Sequence, residues 1–159
     1  MTTAVQLERA QPLWFLDNLV HVHIDGDSSR GSLALAEMRG RRGDMPPLHV
    51  HHGDDETFYV IDGELSLFVA GEQRILGPRQ AALAPREVPH CYRVESEEAR
   101  WLLINLPAGL DAFIREVAEP AAAVQLPPAG RPHDRAVLAQ AAAKAGIEIL
   151  APPGVLRLS

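Results

Sequence analysis

The chain has 159 residues, 47% hydrophobic and 23% charged, a size and balance that suit one globular domain with a single core and disfavour a second independent one. Its formal charge is -6, from 15 basic against 21 acidic residues, and no basic run is long enough to track a phosphate backbone, which argues against nucleic acid as a partner. Apolar runs fall far short of the ~20 residues of a membrane span, MTTAVQLERAQ lacks the pattern of a leader, and the lone Cys91 has no internal disulfide partner, so a soluble, unprocessed, cytoplasmic protein is expected.

Thirteen prolines and twelve glycines divide the middle of the chain into short apolar runs about ten residues apart, the spacing of an all-β sandwich or barrel. The strands are expected between about residues 13 and 107, as N-terminal strands over 13–30 and a core barrel over about 31–107. In chain order the runs are 19–24, 32–38, 49–51, 57–61, 64–70, 73–76, 81–84, 90–94 and 100–106. Asp62-Gly63 stands between two of them as a two-residue turn and predicts a β-hairpin. That pairing sets Ile61 opposite Glu64 and puts Glu56, Phe58, Val60, Leu65, Leu67 and Val69 on one inward face. Thr57, Tyr59, Ile61, Glu64, Ser66 and Phe68 then point outward. Three of these six are apolar, and Tyr59, Ile61 and Phe68 predict a homodimer contact or cover by the N-terminal segment.

After Pro107 the composition turns alanine-rich. Residues 111–119 read as a short helix ended by Pro120, and 121–132 as an extended surface loop. Residues 135–145 read as a helix capped by Asp134, stopped at Gly146 and burying a face of Val137, Leu138 and Ala141. The whole is one domain over 1–159 with a helical tail over 111–159 that packs outside the barrel, frames its open end and is dispensable for folding.

Residues 43–65, GDMPPLHVHHGDDETFYVIDGEL, carry the chemistry. On a strand, His49 and His51 leave the same face and converge on one point, while His52 points away. Past a turn in which Asp54 and Asp55 read as solvated, Glu56 opens the next strand on the inward face. Farther on, Pro89 leads into His90 at the start of another strand. His49, His51, Glu56 and His90 form a ligand set for one divalent transition metal with positions left open, as in catalytic sites. Such a donor set accepts Fe, Ni, Co, Mn, Cu or Zn. His21 and His23 repeat the spacing without a carboxylate to follow, His133 reads as a solvated loop residue, and Cys91 points opposite to His90. No nucleophile elbow or phosphate-binding glycine loop is present.

At these residues the chain resembles the cupin superfamily. The first cupin motif is a glycine, five residues, His-x-His, three or four residues, Glu, six residues and a glycine, and Gly43, His49, His51, Glu56 and Gly63 meet every element. The second motif keeps only Pro85 and His90. Arg79 and Glu87 stand in place of its glycines and Val94 in place of its asparagine. A non-glycine residue there either adopts positive φ at about 1 kcal/mol or forces a different turn, and neither removes a ligand.

The early Trp14, the single barrel and the Ala/Pro-rich tail look like bacterial one-barrel proteins of the quercetin 2,3-dioxygenase type. That resemblance implies a cupin-type jelly roll and a dioxygenase acting on a flavonol or related enolisable aromatic. Glu56 would be both ligand and general base, and Trp14, Met38, Phe58, Val60, Leu65, Leu67 and Tyr92 would line an apolar substrate pocket. Two other readings stay open: a non-oxidative metal-dependent cupin (isomerase, cyclase or decarboxylase) and a non-catalytic small-molecule binding barrel.

Overall fold

The computed structural model describes residues 10–156; the expectation about a leader rests on the first nine residues and lies outside them. The chain runs β1 (Pro12–Phe15), β2 (Asn18–Ile24), β3 (Ala34–Arg41), β4 (Leu48–His51), β5 (Asp55–Asp62), β6 (Leu65–Val69), β7 (Glu72–Leu76), β8 (Ala81–Ala84), β9 (His90–Val94) and β10 (Glu98–Leu106). There follow α1 (Leu110–Val117), β11 (Glu119–Pro120), α2 (Arg135–Lys144) and β12 (Ile147–Ala151). Two antiparallel sheets face each other: a seven-stranded one, β11-β1-β2-β3-β10-β5-β8, and a five-stranded one, β12-β4-β9-β6-β7. Strict alternation drives this. Ala34, Ala36 and Met38 on β3, Glu56, Phe58 and Val60 on β5, and Ala99, Trp101, Leu103 and Asn105 on β10 are all buried, while their neighbours are not. No helix among the described residues is long and apolar enough to cross a membrane.

The expected hairpin at Asp62-Gly63 does not form. β5 belongs to the seven-stranded sheet, where it pairs with β10 and β8, and β6 to the five-stranded one, where it pairs with β9 and β7. The turn carries the chain from one sheet to the other across the β9–β10 connection, with Ser96 Oγ accepting from Glu64 N at 2.8 Å. Gly63 sits at φ 79°, and a Cβ there would lie 2.4 Å from the Glu98 carbonyl oxygen, so close approach and not strand pairing demands this glycine. The face assignment survives, because Glu56, Phe58, Val60, Leu65 and Leu67 reach the same interior from opposite sheets. Two-residue hairpins form instead at Leu16-Asp17, where Phe15 pairs with Asn18, and at Ala70-Gly71, where both residues have positive φ and Val69 pairs with Glu72.

Two further corrections concern the outer face and the tail. Ser66 and Phe68 are buried: Gln73 Nε2 donates to Ser66 Oγ, and Phe68 packs with Leu48 and Cys91 under Met45, Leu150, Ala151 and Leu156 of the same chain. Phe68 therefore needs no partner subunit to cover it. The helices form as expected, Asp134 Oδ1 accepting from Ala136 N at 2.9 Å and Val137 N at 3.2 Å. However, α2 buries Ala141 and Ala142 with Leu138 partly covered, and Val137 is 54% exposed. The strand β12, absent from the sequence reading, follows at once and pairs with β4.

Arg79 and Glu87 hold the left-handed backbone, at φ 66° and 64°, so the turns keep their shape at a steric cost. Arg79 N still donates to Val60 O at 2.8 Å. Arg79→Gly should raise stability by about 0.5–1 kcal/mol, read as a higher urea midpoint at unchanged slope. Truncation after Gly109 should have the opposite result. It strips Leu110, Phe113, Ile114, Ala141, Ala142 and Ile147 from the main core, and large core side chains contribute about 2–5 kcal/mol each, so their combined loss exceeds the stability of most domains. The truncated chain should show no cooperative unfolding transition.

Candidate metal centre

β4 and β9 lie side by side with His49 paired to His90, and β4's alternation sends His51 to the same interior face. Glu56 comes from β5 on the opposite sheet, paired there with Asn105 of β10. One donor atom from each of His49, His51, Glu56 and His90 lies within 4.8 Å of all the others, and the three ring centroids are 4.5 to 5.2 Å apart. His51, Glu56 and His90 are each no more than 3% exposed.

Each imidazole is oriented through Nδ1. His49 Nδ1 meets Pro47 O at 2.8 Å, His51 Nδ1 meets Asp54 Oδ2 at 2.9 Å, and His90 Nδ1 meets Val88 O at 2.9 Å. All three partners are acceptors, so Nδ1 carries the proton and donates, which leaves the Nε2 lone pair of each neutral ring for a cation. His90 Nε2 then stands 3.2 Å from Glu56 Oε2. Two acceptors at that distance repel unless a cation, proton or metal ion, is shared between them. The donor set therefore fits a divalent transition metal.

The surroundings tune the donors. Burial, reinforced by the neighbouring His90, pushes His49 down to about 3, so it is a neutral imidazole at physiological pH. Burial would raise Glu56, yet His51, then His90 and His49, outweigh it and hold the carboxyl at about 2, an ionised carboxylate. His51 is opposed by burial, but Glu56 and Asp54 prevail and raise it. Asp54 is buried, which corrects the solvated reading. Asn105 Nδ2 ties it at 2.7 Å and also reaches Glu56 Oε1 at 3.3 Å. Asp54 and Asn105 are the functional residues that motif reasoning missed. Asp54 follows His51 by three residues, a spacing that also suits a turn, and Asn105 is 49 positions from Glu56 and carries no local signal.

Above the donors a cavity of about 70 Å³ is lined mainly by Phe15, Met38, Leu103, Phe113, Leu138 and Ile147, with His49, His51, Glu56 and Tyr92 as its polar groups. The Tyr92 hydroxyl accepts from Asn18 Nδ2 at 3.3 Å and donates to Asp44 Oδ2 at 3.4 Å. Of the seven expected pocket residues, Met38 and Tyr92 line this cavity. Phe58, Val60, Leu65 and Leu67 are core. Trp14 is turned away because β1 points Leu13 and Phe15 inward; its indole donates to Gln125 O at 2.8 Å beneath the Arg131 guanidinium. The tail supplies Leu110, Phe113 and Ile114 from α1, Leu138 and Ala142 from α2, and Ile147 and Ile149 from β12, so it frames the open end as expected.

The remaining candidates lie elsewhere. His21 and His23 stack at 6.2 Å with His23 Nε2 3.5 Å from Glu37, and His133 faces Asp17 at 3.5 Å. Cys91 is buried in the outer cluster, where burial pushes its thiol up to about 11.

Comparison with known proteins agrees with this geometry. Residues 37–105 match the family described as the cupin domain. Quercetin 2,3-dioxygenase from Bacillus subtilis is 30% identical over 130 residues, which cover 81% of this chain and 39% of that protein, so the chain spans well under half the length of this relative. Among solved structures, a predicted oxalate decarboxylase from Thermotoga maritima superposes with TM-score 0.59 at 14% identity, over 66% of this chain and 99% of that one. An RmlC-like cupin from Shewanella frigidimarina gives TM-score 0.54 at 17% identity, over 69% and 92%. At such identities these two likenesses speak to fold alone.

Asp54→Asn should weaken divalent metal binding about 10- to 100-fold while leaving the fold intact, because it removes the anion that orients His51. Competition against a chelating dye measures this; an unchanged affinity would show that Asp54 does not orient His51 for binding.

Proposed function

We propose, from the match of residues 37–105 to the cupin-domain family and the 30% identity to quercetin 2,3-dioxygenase, that this chain is a cupin and a metal-dependent dioxygenase acting on a flavonol or a related enolisable aromatic. The observation that carries the reading is the placement of three Nδ1-anchored imidazoles and one carboxylate at the floor of a cavity whose other walls are hydrocarbon and aromatic. Such a cavity holds a flat apolar substrate and presents its oxygen atoms to the polar floor.

His49, His51, His90 and Glu56 would hold the ion. When bound, a divalent transition metal supplies Lewis acidity that lowers the pKa of a substrate hydroxyl and supports reaction with dioxygen. The chain's own contributions follow from the geometry. Glu56 is ionised at neutral pH and can take up the substrate's hydroxyl proton, while Asn105 Nδ2 at Oε1 fixes the plane of its carboxylate. A carboxylate held so low is a weak base by itself, so transfer depends on the hydroxyl being acidified at the same site. Phe15, Leu103, Phe113 and Ile114 keep water away from the proton in transit.

Purification without added metal, elemental analysis and reconstitution with Fe, Ni, Co, Mn, Cu or Zn should give a form that consumes dioxygen when a flavonol is supplied. Turnover of an oxygenated small molecule without dioxygen uptake would move the assignment to a non-oxidative isomerase, cyclase or decarboxylase. Tight binding with no turnover would move it to a binding barrel. In the active form, Glu56→Gln should leave much of the metal bound and lower turnover by about 100-fold or more; turnover at the wild-type rate would remove Glu56 as the base.

A further inference from the structure

We propose that the free edge of β7 pairs, antiparallel and about a twofold axis at Gln73, with the same edge of a second copy of this chain. The proposal is independent of the catalytic reading. It relocates the dimer contact that sequence patterning suggested for Tyr59, Ile61 and Phe68, since Phe68 is already covered from within.

Among the described residues four strands end a sheet. β11 has two residues, β8 has four and runs into Pro85, and β12 packs with α2, Ala142 and Ile147 sharing one core. β7 is different: Glu72, Gln73, Arg74 and Ile75 are all exposed, and Ile75, at 59%, is among the most exposed large apolar residues. Beside it opens the seam between the two sheets, a groove walled by Leu67, Val69 and Leu76 from one side and Ala82 and Leu83 from the other. An unpaired edge over an apolar seam is a template for another strand.

The ladder decides which groups are free. Val69 and Glu72 close the Ala70-Gly71 turn as a hydrogen-bonded pair. Glu72, Arg74 and Leu76 therefore spend their backbone groups on β6, while Gln73 and Ile75 turn N–H and C=O to the open edge. A twofold axis at Gln73 lets the two Gln73 residues exchange both backbone hydrogen bonds and sets Glu72 opposite the partner's Arg74, twice. Within one chain Arg74 Nη2 already donates to Glu72 Oε2 at 2.9 Å, so the pairing completes an alternating square of four charges on one face of the sheet. A register centred on Arg74 would instead oppose two guanidinium groups. The edge is thus self-complementary in one register, as an isologous contact requires.

Light scattering of the full chain over a concentration series should reveal a species of twice the 17.3 kDa chain mass. Gln73→Pro removes the central backbone donor at a position whose N–H and C=O face the open edge; it also removes the Nε2 donor to Ser66 Oγ, so it should abolish the dimer and lower the thermal midpoint modestly while leaving circular dichroism unchanged. Glu72→Lys and Arg74→Glu should each be monomeric, and an equimolar mixture of the two should dimerise, because each then meets its opposite charge. Two outcomes overturn the proposal: a wild-type chain of single mass throughout the series, or a dimer that survives Gln73→Pro and both charge reversals.

Discussion

One cross-strand pair, His49 of β4 opposite His90 of β9, brings together side chains 41 residues apart and sets the position of everything else in the site. A slip of one residue in β4 would send both His49 and His51 to the outer face. Yet β4 and β9 share only that single paired position among the described residues, which is little to hold a register. The longer ladder is on the other side, where β12 pairs with β4 at Ile147 with His51, Glu148 with Val50, Ile149 with His49 and Ala151 with Leu48. The ligand strand is thus held from the C-terminal end of the chain. This gives the tail a mechanical role that its modest alanine-rich helix would not suggest, and it explains why the same residues that fix the register, Ile147 and Ile149, also wall the cavity.

How much of this can be read from residue order depends on how local the determining interaction is. The convergence of the four donors was legible because strand period and a fixed spacing put His49, His51 and Glu56 on predictable faces, and Pro89 marks the start of the strand that carries His90. The inward face of β5 and β6 was legible for the same reason. What patterning could not supply was the identity of the neighbour. Asp62-Gly63 has the composition of a hairpin turn, but alternation reads the same whether two strands lie in one sheet or face each other across a core. Ala70-Gly71, with a weaker composition, makes a hairpin because Ala70 accepts φ 52° there. Trp14 shows the same limit one residue at a time: its aromatic character suggested the pocket, and the alternation of β1 gave that place to Phe15.

The turns of the second motif show how a degraded signature keeps its geometry. Arg79 and Glu87 occupy left-handed backbone that glycine adopts freely. The cost is paid in stability and not in geometry, because His90 downstream still lies against His49 with its Nδ1 on the Val88 carbonyl. Glu87 also recovers something from its side chain, accepting at 3.0 Å from the exposed His52, whose other nitrogen meets Glu148 of β12. The β8–β9 turn and the C-terminal strand therefore meet at the residue that follows the last ligand of β4.

The charge balance of the interior states most directly what the site is built to hold. Asp54 and Glu56 are both buried, and among the described residues no Lys or Arg lines the cavity above them; the Arg86 guanidinium is bonded to Asp55. Buried carboxylates without a compensating charge are strongly unfavourable. Among the described residues that line the cavity, an imidazole is the group that can supply positive charge, by taking up a proton. His49 refuses it, being pushed to about 3, while His51, between Glu56 and Asp54, is pulled the other way. A cation among the four donors would offset the buried carboxylate of Glu56 and remove the repulsion between His90 Nε2 and Glu56 Oε2 at 3.2 Å. Asp54 thus does more than orient a ring: its buried carboxyl, like that of Glu56, favours positive charge at the donors.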